Sequence, residues 1–141
     1  MKIDVYKTLT SVRPFTSWRS YADMANFLEE NGEIAAICKK IDETGNKELK
    51  SGLPLMMPMG DVGDKTRSKE NAEPTGLVMI DIDSPDRIEM EDLKRHFGQE
   101  EMTQELERQH VVLVHLTPSH KGVRLLVHCH AEGFQATIDD Y

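Results

Sequence analysis

Two acids one residue apart, Asp81 and Asp83, close the apolar run Leu77-Val78-Met79-Ile80-Asp81-Ile82-Asp83. On an extended chain, residues two apart project from one face, about 6.5 Å apart along the strand, so both carboxylates can reach one hard divalent cation. That geometry suits Mg²⁺ or Mn²⁺ holding substrate phosphates. Acids also gather by chance where a strand runs into a helix, but the apolar residues ahead of these two draw one of them toward the sheet. The spacing therefore predicts Asp81 and Asp83 side by side at the C-terminal end of a central strand, facing an open cleft.

A second constellation is Thr117-Pro118-Ser119-His120-Lys121-Gly122-Val123-Arg124, which sets a hydroxyl, an imidazole, a lysine and a glycine in a tight turn between strands. Free backbone N–H groups flanked by Lys121 and Arg124 make a cradle for phosphate oxygens. The same residues also make an ordinary solvated turn. Alternation puts Arg124, Leu126, His128 and His130 on one face of the following strand, and Val123, Leu125, Val127 and Cys129 on the other. If helices cover that second set together with Val78, Ile80 and Ile82, then Arg124 shares the opposite face with Asp81 and Asp83. His128 and His130 lack a third ligand of matching spacing and read as histidines tolerated on a half-exposed strand. His96 and His110 at helix ends, Cys38 on an apolar helix face and Trp18 read as structural residues.

The elements that must position these groups follow from periodicity. Tyr21, Met24, Ala25 and Leu28 are spaced for a helix over 20–30 that stops at Asn31-Gly32, and Ile34, Ile37, Cys38 and Ile41 for a second over 33–41. Leu53 to Met59 is apolar but holds two prolines, so it can only be an edge or irregular strand. Gly60 to Pro74 has no periodicity and reads as a long mobile loop, a kind more often functional than decorative. After the strand over 77–83, Ser84-Pro85-Asp86 supplies an N-cap, a first-turn proline and a first-turn acid for a helix carrying Ile88, Leu93 and Phe97, broken at Gly98. A further helix over 100–109 turns Met102 and Leu106 inward. Val111–Thr117 and Val123–His130 then form a hairpin. This order predicts an α+β fold, a mostly antiparallel sheet with helices packed on one face.

Composition bounds what such a fold can do. The 141 residues are 38% hydrophobic and 30% charged, which fits one globular domain and excludes collagen-like and disulfide-built chains. A net charge of −8 disfavours wrapping phosphate backbones over the whole surface, and the acidity is local: residues 61–110 carry 14 acids against 7 bases, residues 1–60 eight of each. Cys38 and Cys129 show no CxxC pairing and read as reduced thiols. The N-terminus has no secretory pattern and the longest apolar run is Val111 to Val114, so the expectation is a cytoplasmic protein with no membrane span.

The combination of Leu53-Pro54, Arg67, the run from Thr75 to Asp83 and the run from Thr117 to Val127 resembles the N-terminal primase-like domain found ahead of the virulence-associated protein E (VirE) helicase region, within the archaeo-eukaryotic primase superfamily. The resemblance covers about residues 30–130 and implies a primase-polymerase, RRM-like core. It implies catalytic, metal-binding roles for Asp81 and Asp83, and contacts to an incoming nucleoside triphosphate from Ser119, His120, Lys121, Gly122 and Arg124. The positions that superfamily usually gives to glycine and histidine are held here by His120 and Arg124, and an arginine grips phosphate bidentately. A third acid belongs on a later strand. Ile138-Asp139 has that character but follows with no room for an intervening helix, so the chain reads as an incomplete, N-terminal fragment of a longer replication protein of a mobile element. The implied full-length protein is a nucleotidyltransferase with Mg²⁺ or Mn²⁺, a single-stranded DNA template and a downstream helicase domain. The rival is a catalytically inactive primase fold that binds nucleic acid or replication partners. A nucleotide-sugar transferase, which also pairs acids on a metal, ranks third.

Overall fold

The computed structural model describes residues 2–129. Strand β1 (Ile3–Tyr6) runs antiparallel between β2 (Thr16–Trp18) and β3 (Leu55–Met57). Helices α1 (Tyr21–Glu30) and α2 (Gly32–Thr44) and a 3-10 segment over Lys47–Gly52 connect β2 to β3. Ser20 and Asp23 form a reciprocal capping box at the start of α1. Asn31 ends α1 and caps α2, its Oδ1 accepting from the Ile34 N–H at 3.1 Å, so Asn31-Gly32 is a corner between two helices. The stretch over 60–74, expected as a loop, contains a short antiparallel pair, β4 (Gly60–Asp61) with β5 (Glu73–Pro74), and a 3-10 turn over Lys69–Asn71.

The second half holds β6 (Leu77–Asp83), α3 (Met90–Phe97), α4 (Glu100–Arg108), β7 (Val111–Leu116) and β8 (Gly122–His128). Their sheet is antiparallel, in the order β6-β8-β7. The expected hairpin of β7 and β8 is present, with a bulge between Val111 and Leu113. Because β8 takes β7 on one side and β6 on the other, β6 is an edge strand, and its expected central place is corrected. The helix after β6 also starts later than Ser84. The Ser84 N–H donates to the Lys121 carbonyl at 2.9 Å and the Ile88 N–H to the His120 carbonyl at 2.7 Å, which straps residues 84–88 to the turn and delays α3 to Met90, with Glu89 as its N-cap residue.

The fold is α+β. Against one face of the second sheet, Leu93 packs with Leu116 and Val123, joined by Ile88, Phe97, Val114 and Leu125. The apolar half of the other face meets the first part of the chain: Leu77 and Leu126 pack with Ile3, Val5, Trp18 and Met24, flanked by Tyr21, Phe27, Met79 and Leu113. Strand β8 therefore contributes to both cores. Trp18, 5% exposed, is a core residue as its place before α1 suggested. No helix among the described residues is long and apolar enough to cross a membrane.

Candidate functional site

Opposed residues of an antiparallel pair lie on the same face, so the register of β6, β8 and β7 decides which side chains meet. Asp81 lies opposite Arg124, Arg124 opposite His115, and Asp83 opposite Gly122. One row, Asp81-Arg124-His115, therefore crosses all three strands on the face turned away from α3, beyond the apolar half covered by α1 and β1. The expected sharing of a face by Arg124 and the two acids follows from this register.

Within the row, Arg124 donates from Nε to Asp81 Oδ1 at 2.6 Å and from Nη2 to Oδ2 at 2.8 Å, a bidentate pair whose side chains are 24% and 46% exposed. That contact, outweighing a smaller opposing effect of burial, holds the Asp81 carboxyl below the usual carboxylate range and raises the Arg124 guanidinium. Asp83 is exposed and makes no hydrogen bond or ion pair among the described residues. His115, which sequence reasoning missed, completes the row. Burial pushes its imidazole below the ordinary histidine value, and its Nδ1 lies 2.9 Å from the Leu116 carbonyl. Its alternation with Leu113 across a bulged strand was the signal available.

The turn after β7 is built from its own backbone. The His120 N–H donates to the Thr117 carbonyl at 2.9 Å, and the Thr117 N–H to the Gly122 carbonyl at 2.9 Å. His120 sits at φ 53°, the left-handed region that glycine enters without cost and that strains a histidine. Its Nδ1 is buried without a hydrogen-bond partner among the described residues. Ser119 is half-buried, its hydroxyl 3.5 Å from that of Thr117, while Lys121 is exposed with no ion pair among the described residues. Gly122 is sterically required: a Cβ there would stand 2.9 Å from the Ile82 carbonyl oxygen and 3.3 Å from Asp83 Oδ1. Arg87 grips Asp42 bidentately, by Nε at 3.0 Å and Nη2 at 2.8 Å, and so ties the end of α2 to the segment behind the turn.

The two carboxylates offer the hard oxygens that Mg²⁺ or Mn²⁺ prefers. One of them is already engaged by Arg124, and the edge position of β6 removes the flanking strand that a central placement would have supplied. No group of three His, Cys, Asp or Glu side chains among the described residues is placed to hold a metal ion. A cation here fits only in company with ligand oxygens. His130 and Ile138-Asp139 lie outside the described residues.

No curated protein and no solved structure matches this chain. A family model does, over residues 48–137, described as BT4734-like, N-terminal domain. The match takes in β3 to β8, with Asp81, Asp83, His115, the 117–122 turn and Arg124. Covering well over half of the sequence, it shows that the chain belongs to the BT4734-like N-terminal domain family.

Proposed function

We propose that this chain is a primase-polymerase-like domain that binds a nucleoside triphosphate with a divalent cation where β6 and β8 meet the 117–122 turn, and that it serves DNA replication of a mobile element. The observation that carries the reading is the cross-strand Arg124–Asp81 pair beside unpaired Asp83. A guanidinium already held in fork geometry at an exposed sheet end is set to grip an anion of similar shape, and phosphate is such an anion. Asp81 and Asp83 would hold Mg²⁺ or Mn²⁺, whose chemistry is to neutralise phosphate charge. Arg124, on leaving Asp81, donates to a phosphate oxygen, so no charge is left unpaired by the exchange. The 117–122 turn adds donors from Ser119, His120, Lys121 and the backbone of Gly122. A cytoplasmic setting, a single-stranded DNA template and a downstream helicase domain belong to the same reading.

Calorimetry with Mn²⁺ and a deoxynucleoside triphosphate tests it. Binding should be weak, and Asp81→Asn with Asp83→Asn should abolish its metal-dependent part. Arg124→Ala should weaken binding by about 1–3 kcal/mol, the scale of a charge-assisted contact, with the fold intact. Equal binding by parent and variants would sink the proposal. The inactive nucleic-acid-binding reading is favoured by one feature, the satisfaction of Asp81 by Arg124 within the protein, and it expects no metal-dependent nucleotide binding by the parent.

A further inference from the structure

The most exposed large apolar side chains of the described residues, Leu9 at 61%, Val12 at 56% and Phe15 at 53%, all lie in one loop, the connection from β1 to β2. This loop is anchored to Arg67 of the 65–67 segment. Arg67 donates its backbone N–H to the Val12 carbonyl at 2.8 Å and its Nη2 to the Leu9 carbonyl, while its guanidinium lies over the Tyr6 ring, 4.9 Å from the centroid. Phe15 is the outer member of an aromatic series: its ring centroid is 6.4 Å from that of Phe27, which is 4.9 Å from that of Trp18 in the core. An exposed ring is thus braced by two others.

The charges of this region run against those of the chain. Residues 1–19 carry Lys2, Lys7, Arg13 and Arg19 against one acid, Asp4, which is 1% exposed and already bound to Lys2 and Ser17. Lys7, Arg13 and Arg19 are exposed and form no ion pair among the described residues. Lys65 is exposed on the adjoining segment, with Asp64 beside it as the nearest opposing charge in sequence. In a chain of net charge −8, a cationic loop with a braced aromatic ring at its base, where the Phe15 N–H donates to the Val5 carbonyl at 2.9 Å, requires its own explanation.

We infer that this loop, with Phe15, Lys7, Arg13 and Arg19, is a docking surface for single-stranded nucleic acid. Stacking on Phe15 takes bases of any sequence, the exposed Leu9 and Val12 of the same loop add apolar surface, and the unpaired cations take the phosphates. An acidic peptide would satisfy the cations but leave the braced ring without a stacking partner. Duplex hides its base faces and would use the cations alone. The surface lies on other elements than Asp81 and Arg124, so it stands whether or not triphosphate binds there.

The test is fluorescence anisotropy of a labelled oligothymidylate of about 20 nucleotides with the full chain in about 50 mM salt. Lys7→Glu, Arg13→Glu and Arg19→Glu together should weaken binding at least about tenfold and flatten the salt dependence by about two units of slope, three lost contacts on a single strand. Phe15→Ala should weaken it several-fold at unchanged salt slope. The same charge change made elsewhere, Lys40→Glu, Lys47→Glu and Lys94→Glu, should cost much less, and circular dichroism should show all variants folded. The inference is overturned if the parent does not bind, if both triple variants lose binding equally, or if Phe15→Ala binds as the parent does. It is also overturned if duplex of the same length binds as tightly, or if polyglutamate competes as well as unlabelled oligothymidylate.

Discussion

Asp81 and His115 stand on either side of Arg124 and respond to it in opposite ways. The carboxylate is kept ionised by the guanidinium; the imidazole is kept neutral, chiefly by burial and to a lesser degree by the same positive charge. Both groups have folded-state values below their unfolded ones, so both make stability fall as pH falls, in different windows. For His115 the unfolded chain takes up protons first as pH drops below about 6.5; for Asp81 the loss begins only near about 4. The thermal midpoint of the parent should therefore decline between about pH 7 and 5, and His115→Gln should flatten that decline while leaving the steeper acid limb in place. A decline of the same size in His115→Gln would assign it to another histidine. With the carboxylate 46% exposed to screening solvent, the Asp81–Arg124 pair itself contributes little stability, about 1 kcal/mol or less. Its weight is in orienting the guanidinium.

Elements place these residues through the pairing of β6 with β8, and Gly122 is where that pairing is tightest. A methyl group there meets a backbone carbonyl, Ile82 O, at 2.9 Å, and a carbonyl inside a ladder cannot swing aside. Gly122→Ala should destabilise the fold by about 1–3 kcal/mol in urea melts, as overpacking does. Gly32→Ala, in helix α2 with nothing within 4 Å of the new methyl, should instead be neutral or stabilise by about 0.5–1 kcal/mol. Equal effects at the two sites would mean that Ile82 can yield. The same elements show what the sequence could reveal. Helices α1 and α2 and strands β6 and β8 were legible because their apolar residues repeat over several turns or pleats. β1 and β2 have 4 and 3 residues, too few for a period to stand out, and although Ile3-Asp4-Val5 alternates, Asp4 is as buried as its apolar neighbours, so the alternation marks no solvent face. The start of α3 was misread because Ser84-Pro85-Asp86 carries every local cap signal, yet two bonds from Ser84 and Ile88 strap this segment to the 117–122 turn and the helix begins only at Met90. Within the site, spacing alone put Arg124 with the acids, but no local pattern could reveal that one of those acids would be its ion-pair partner.

At the scale of the molecule, the family match and the folded unit have different beginnings. The match starts at residue 48, but Ile3, Val5, Trp18 and Met24 lie before it and cover Leu77 and Leu126 on the second sheet. A chain reduced to residues 48–141 would expose that apolar face while keeping the core beneath α3. It should lose the dispersed amide spectrum of a native fold and bind a hydrophobic dye; a cooperative melt from the shortened chain would show that the second core suffices.

Among the described residues, strand β6 pairs along one side only. Hydrogen bonds at Gly76–Cys129 and Ser84–Lys121 fix which residues face β8, so by alternation the backbone groups of Met79, Asp81 and Asp83 point away from it, along a flank that no strand among the described residues occupies. Ile80 and Ile82, 43% and 51% exposed, add an apolar surface beside that flank. This is the template on which one molecule recruits another into a continuous sheet. What opposes such growth is charge, since a second β6 laid on the first in the registers that match their C-terminal halves would bring carboxylate against carboxylate. Exposed Asp83, whose charge no partner among the described residues neutralises, is the side chain that most opposes such pairing, while Asp81 is already held by Arg124.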